Sequence, residues 1–124
     1  MPARRFSSAR LAAIDATKYL PIRAGADHRF IHIWVVVTNG RVLVRPWNDR
    51  KNGWYRAFLE DPRGAIKLGD TEVPVRARKV TSAKLIGAMD AAYAAKYTTK
   101  ANQPYVKGFA TRKRQATTME LLPS

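Results

Sequence analysis

The sequence predicts an α+β fold, mainly β, in which a small antiparallel sheet curls toward a barrel with two or three helices on its flanks. Three observations carry that prediction. Two apolar runs, Ile33-Trp34-Val35-Val36-Val37 and Val42-Leu43-Val44, bracket the turn-forming pair Asn39-Gly40. A short helical segment opened by Trp54-Tyr55 and stopped by Pro62 separates that hairpin from two more strand-like stretches, residues 65–68 and 72–80. The chain has 124 residues, the length of one domain, and short antiparallel strands are best protected when their sheet closes and leaves no edge exposed.

Each element follows from local chemistry. Residues 1–20 are the N-terminal helical segment: Ser7 or Ser8 caps a helix with Leu11 and Ile14 on its apolar side, ended before Pro21. Residues 30–46 form a hairpin, since Asn39-Gly40 accepts the positive φ angles of a type I′ turn. Its strands are apolar on both faces, so they are covered on both sides. Residues 46–53 are a loop, rich in breakers, and Trp54 to Asp61 makes two helical turns. The strand over 65–68 turns at Gly69-Asp70 into a strand over 72–80, where Pro74 marks an edge or a bulge. Thr81 or Ser82 caps the longest helix, which runs to about Tyr97 with Leu85, Ile86, Met89, Ala92 and Tyr93 at helical spacing. A polar link then leads to a final strand over 116–121. No repeat or linker interrupts the chain, so residues 1–124 read as a single domain.

Composition removes several chemistries. There is no cysteine, hence no disulfide, no thiolate nucleophile and no cysteine-based metal or iron–sulfur site. His28 and His32 would lie on one strand face but about 13 Å apart, too far to share a metal. No P-loop, Rossmann glycine fingerprint or Ser–His–Asp order occurs. No apolar run is long enough for a membrane span, and the start lacks the apolar core of a secretory signal. A cytoplasmic protein is expected; the Arg-rich opening Met1-Pro2-Ala3-Arg4-Arg5, acid-free until Asp15, has a mitochondrial transit segment as its alternative reading. The net charge is +14, and from Ala91 to Met119 there are six cations and no acid. Such a field concentrates anions, whether nucleic acid or a phosphate-bearing cofactor.

Within this frame, Arg29, Arg45 and Lys51 sit at strand ends or in the loop, where they either converge on a phosphate or serve as ordinary exposed strand ends. Trp47, Trp54 and Tyr55 surround the same loop and offer flat faces to a planar ring, although Trp54 and Tyr55 also suit core packing. Tyr93 and Tyr97, four apart, share a helix face.

The residues from Trp54 to Gly69, Trp54-Tyr55-Arg56-Ala57-Phe58-Leu59-Glu60-Asp61-Pro62-Arg63-Gly64-Ala65-Ile66-Lys67-Leu68-Gly69, resemble the Trp-Tyr-x-x-Leu-x-x-x-Pro-x-x-x-Val-x-x-Gly segment of deazaflavin-dependent nitroreductases. Pro74-Val75-Arg76-Ala77-Arg78-Lys79-Val80 is similar to their next strand. A closer resemblance is to a bacterial family known only as a domain of unknown function. It rests on Ile33-Trp34-Val35-Val36, Val44-Arg45, Trp54-Tyr55 and Asp90-Ala91-Ala92-Tyr93-Ala94-Ala95-Lys96-Tyr97, and covers residues 19–123. The nitroreductases belong to the split β-barrel superfamily with the FMN-dependent pyridoxamine-phosphate oxidases, so the resemblance implies a small split β-barrel. It also implies an FMN or deazaflavin cofactor, hydride transfer, and a homodimer with the cofactor at its interface.

On that resemblance Arg29, Arg45 and Lys51 hold the cofactor phosphate, and Trp47 and Asn48 lie beside the ring. Trp54, Tyr55 and Tyr93 line the substrate pocket, and Tyr97 donates a hydrogen bond or proton to substrate. The phosphate-gripping Gly-x-x-Ser-Gly-x-x-Arg signature has only Arg29 as its counterpart in residues 22–29, and Asp27 would repel a phosphate there. The alternative function is a non-catalytic basic module for nucleic acid or another anionic ligand, with no cofactor, using the acid-free stretch.

Overall fold

Asn39 and Gly40 adopt φ of 55° and 73°, the left-handed pair a type I′ turn requires. They join β3 (Val36–Thr38) to β4 (Arg41–Val44), with Val36 opposite Leu43 and Thr38 opposite Arg41. The computed structural model describes residues 5–26 and 28–124. The expectations resting on residues 1–4 and on Asp27 lie outside the described residues.

Among the described residues, seven antiparallel strands form one curled sheet of a half-barrel, with five helices around it. Helix α1 (Ser8–Ala16) is capped by the Ser7 side chain, which accepts from the Arg10 N–H. The other strands are β1 (Leu20–Ala24), β2 (Ile31–Ile33), β5 (Arg63–Leu68), β6 (Thr71–Lys79) and β7 (Met119–Pro123), in the sheet order β2-β1-β5-β6-β7-β4-β3. The two edge strands, β2 and β3, are separated in sequence only by Trp34 and Val35. One continuous stretch of backbone therefore bridges the two ends of the sheet, and this is how the barrel curls.

The hairpin expected over 30–46 is thus paired only between Val36 and Val44. Its first half leaves to pair with β1, Leu20 opposite Ile33 and Ile22 opposite Ile31. At the break, side chains substitute for a strand: the Val35 N–H donates to the Tyr97 hydroxyl at 3.1 Å, and Lys96 Nζ donates to the Val35 carbonyl at 2.8 Å.

Both faces of β4 are covered, as its unbroken apolar run predicts. Val42 and Val44 belong to the core inside the sheet with Ile22, Ile66, Val75 and Leu121. Leu43 faces a second core built by α3 (Ala83–Lys96) from Leu85, Met89 and Tyr93. Helix α2 (Trp54–Glu60) closes the first core with Tyr55 and Phe58. Gly64 permits this approach, because a Cβ there would stand 2.7 and 2.8 Å from the Phe58 ring.

Three expectations need correction. Pro74 does not mark an edge strand: β6 lies between β5 and β7. It is tolerated because β7 ends opposite Val75, and the Pro74 carbonyl, on that same side, accepts from the N–H of the last residue, Ser124. The polar link contains a 3₁₀ turn (Lys100–Asn102), α4 (Gln103–Phe109) and α5 (Arg112–Gln115), so the helices exceed two or three. The final strand begins at Met119, not 116.

Glu120 in β7 is 2% exposed yet charged, held by both Nε and Nη2 of Arg41 at 2.9 and 2.8 Å and by Arg78 at 2.6 Å. Burial pushes its carboxyl up, but the hydrogen bonds and charges of the two arginines outweigh burial and hold it below the ordinary value of 4.5. A depressed carboxylate stabilises the fold fully above 4.5 and loses that contribution as pH falls through its folded value. In urea unfolding at pH 7, Glu120→Gln should therefore be less stable than the parent, and it should lose less on acidification to about pH 3. An equal acid loss in both proteins would contradict this role.

Candidate functional site: two hollows at the split

Because β2 leaves β3, the chain continuing from β4 through Arg45 and Trp47 passes β2 without strand pairing. A hollow lies on each flank of this split. The first is a cleft of about 620 Å³ with Ile22, Ala24 and Ile31 as its apolar floor. His28, Arg29, Arg50 and Lys51 line it, with the amide side chains of Asn48 and Asn52 and the ring of Trp54. Among the described residues no carboxylate lines the cleft. Asp49, in the loop that lines the cleft, is turned to Arg56, which grips it with two bonds of 2.8 and 2.9 Å.

The second hollow is a bay of about 330 Å³ with rings of Tyr19, Trp34, Trp47, Tyr105 and Phe109 in its walls. His32 and Asn102 also line it, with Arg45 behind.

The structure thus divides the residues singled out from sequence. Arg29, Asn48, Lys51 and Trp54 meet in the cleft. Arg45 does not join Arg29 and Lys51 there. It is 1% exposed and ties three elements together. Its Nε donates to Thr118 Oγ1 at 2.7 Å, Nη1 donates to Asp90 and to the Phe109 carbonyl, and Nη2 donates to the Ile86 carbonyl. It is a buried strut, not a phosphate clamp. Trp47 belongs to the bay, and Tyr55 packs in the core at 4% exposure.

Tyr93 is buried with its hydroxyl unpartnered, stacked on Phe109 at 4.8 Å, and burial pushes its ionisation far above the ordinary range. It lines neither hollow. Tyr97 is 2% exposed and its hydroxyl is fully engaged, accepting from Val35 and donating to the Lys18 carbonyl at 2.7 Å. Burial raises it to about 12. This geometry makes Tyr97 a clasp for the strand break and commits its proton to the Lys18 carbonyl.

His28 lies in a bend, not on a strand with His32, and the two imidazoles serve different hollows. No group of three or more His, Asp or Glu side chains suited to a metal forms among the described residues, and no described helix is long and apolar enough to cross a membrane. Sequence reasoning missed Arg50 and Asn52, although both stand in the same loop as Lys51. It also missed Tyr105 and Phe109, whose i, i+4 spacing is the one trace of α4 in a stretch otherwise read as polar.

The model of a bacterial family described as uncharacterised conserved proteins, DUF2255, matches residues 10–121. The chain belongs to the DUF2255 family. Every residue lining the two hollows lies within the matched span. No curated protein matches the sequence. Among solved structures, the DUF2255 fold is similar to a conserved hypothetical protein from Mycobacterium tuberculosis, with a TM-score of 0.57 and 16% identity. The likeness covers 98% of this chain and 83% of that one, and at this identity it speaks to fold alone.

Proposed function

We propose that this DUF2255 protein binds a phosphate-bearing planar small molecule in the cleft beside residues 48–54, a flavin-type cofactor (FMN or deazaflavin) being the candidate that the sequence resemblance supplies. One observation carries the reading: His28, Arg29, Arg50 and Lys51 line a single concave, apolar-floored cleft without a lining carboxylate among the described residues. Arginine and lysine donors bind phosphate oxygens through charge-assisted hydrogen bonds. The apolar floor and the Trp54 ring suit a flat ring system, and the cleft volume is in the range of small-molecule sites. When bound, a flavin would supply hydride-transfer chemistry; the chain's residues would bind the phosphate, support the ring and exclude water.

The test is a titration with FMN followed by absorbance and flavin fluorescence. Saturable binding is expected. Each lost charged hydrogen bond is worth about 1.5–3 kcal/mol, so Arg50→Ala with Lys51→Ala should weaken binding by at least about tenfold. No saturable signal with FMN or a deazaflavin, or equal affinity in the double variant, would refute the reading. A second reading, an anion-binding module for nucleic acid, is favoured by the exposed Lys100, Lys107, Arg112 and Lys113 on the acid-free stretch. Its signature is oligonucleotide binding whose log–log salt slope scales with the phosphates neutralised.

A further inference from the structure

The bay on the other flank of the split is about half the volume of the cleft and is walled mainly by aromatic rings. Among the described residues, three of the four exposed large hydrophobic side chains, Tyr19 (47%), Trp47 (37%) and Tyr105 (48%), border it. Exposed apolar side chains scattered singly are ordinary, whereas a cluster around one concavity marks a binding surface.

The walls are also held in place without a ligand. Trp34 is fixed by the ring of Tyr97, stacked at 3.8 Å and 3°. Trp47 lies under the Arg114 guanidinium, 3.7 Å from its ring centroid, and Arg114 Nε donates to the Trp47 carbonyl at 2.8 Å. On Gly108 a Cβ would stand 2.7 Å from Trp47 Cζ3, so the glycine is what lets the indole settle onto α4. Tyr105 meets both indoles nearly edge-on, at 5.1 Å to Trp47 and 6.0 Å to Trp34. An exposed tryptophan fixed by a guanidinium, a backbone hydrogen bond and a steric seat is preorganised, which lowers the ordering cost of binding.

We infer that the bay is a second small-molecule site, separate from the cleft, for a planar one- or two-ring aromatic compound bearing a carboxylate. Planarity follows from walls made of rings, against which a flat ring stacks or sits edge-to-face. The size follows from the volume of about 330 Å³, at the small end of ligand sites. The acidic group follows from the lining: among the described residues no carboxylate lines it, and the polar groups it offers an anion are the His32 ring and the Asn102 amide, since the Arg45 donors are spent on Thr118, Asp90, Phe109 and Ile86. Asp90 lies behind Arg45 and is not part of the wall. Against a nucleic-acid strand, one face of Trp47 is already taken by Arg114, which leaves a pocket in place of a stacking platform.

The chain has three tryptophans, of which Trp34 and Trp47 report on the bay and Trp54 on the cleft. In a titration with 2-naphthoate followed by the indole N–H resonances, Trp34 and Trp47 should shift saturably while Trp54 stays in place. Tyr105→Ala, at a half-exposed ring, should weaken binding by about fivefold or more by removing one wall. Gly108→Ala, which forces Trp47 off its seat, should weaken it as well. Uncharged 2-naphthamide and non-planar cyclohexanecarboxylate should bind more weakly than 2-naphthoate. The inference is overturned if no saturable shift occurs, if both variants bind as the parent does, if either control compound binds as tightly, or if Trp54 alone responds. It is likewise overturned if a thymidine oligonucleotide moves the same indoles at lower concentration with a steep salt dependence. Because the cleft reading is scored on FMN and Trp54, either reading can fail alone.

Discussion

Arg45→Ala should destabilise the protein by about 3–5 kcal/mol, the usual consequence of breaking a buried ion pair by removing one partner. Four hydrogen bonds disappear together, and the carbonyls of Ile86 and Phe109, the carboxylate of Asp90 and the Thr118 hydroxyl each lose one donor. Asp90 keeps Gln115 Nε2 at 2.7 Å and retains 22% side-chain exposure, which places the effect toward the lower end of that range. Urea unfolding measures it. A cycle with Asp90→Asn should show that much of the loss is the stranded charge, since the double variant recovers part of the stability. A phosphate clamp would behave differently: Arg45→Ala would leave stability within about 0.5 kcal/mol, as substitutions away from buried networks do, and would abolish ligand binding.

Tyr97→Phe should cost about 1–3 kcal/mol, because the ring and its stack on Trp34 survive while the Val35 N–H loses its buried partner. Lys96 still serves the Val35 carbonyl, so the cost is that of one orphaned donor and the Lys18 carbonyl, not of the whole break. Burial opposes the charged form of Lys96 and pulls its ionisation down, consistent with an ammonium placed to satisfy backbone. Urea unfolding combined with amide exchange at Val35 checks the prediction. Faster exchange at Val35 with reduced stability supports the clasp; unchanged values for both would contradict it.

The local grammar of the fold was legible where one physical rule decides the outcome. Asn39-Gly40 specifies its turn through the φ angles alone, and Ser7 and Ser82 cap their helices through side-chain bonds to the third residue on. The break at Trp34-Val35 was not legible, because an apolar run reads the same whether it is one strand or two edges of a curled sheet. What separates the cases is the partner, and Tyr97 lies 62 residues away. Helices α4 and α5 were hidden by brevity and polarity; Pro104 stands in the first turn of α4, where its missing N–H costs no helical bond.

The site divides along the same line. Arg29, Asn48 and Lys51 could be grouped around one hollow because cations and amides in a loop with breakers seldom serve a core. Arg45 was misplaced because an arginine at a strand end looks alike exposed or buried, and the acid that buries it is 45 residues distant. The aromatic bay escaped notice for a related reason: two of its five rings, Tyr105 and Phe109, stand on α4.

The most direct test of the central claim, that the split presents a cationic cleft to an anionic planar ligand, is a map of amide and indole shifts during FMN addition. The account predicts saturable shifts at residues 28–31 and 48–54 and at the Trp54 indole, lost with Arg50→Ala and Lys51→Ala. Shifts confined to Trp34, Trp47 and residues 100–114, or none that saturate, would contradict it.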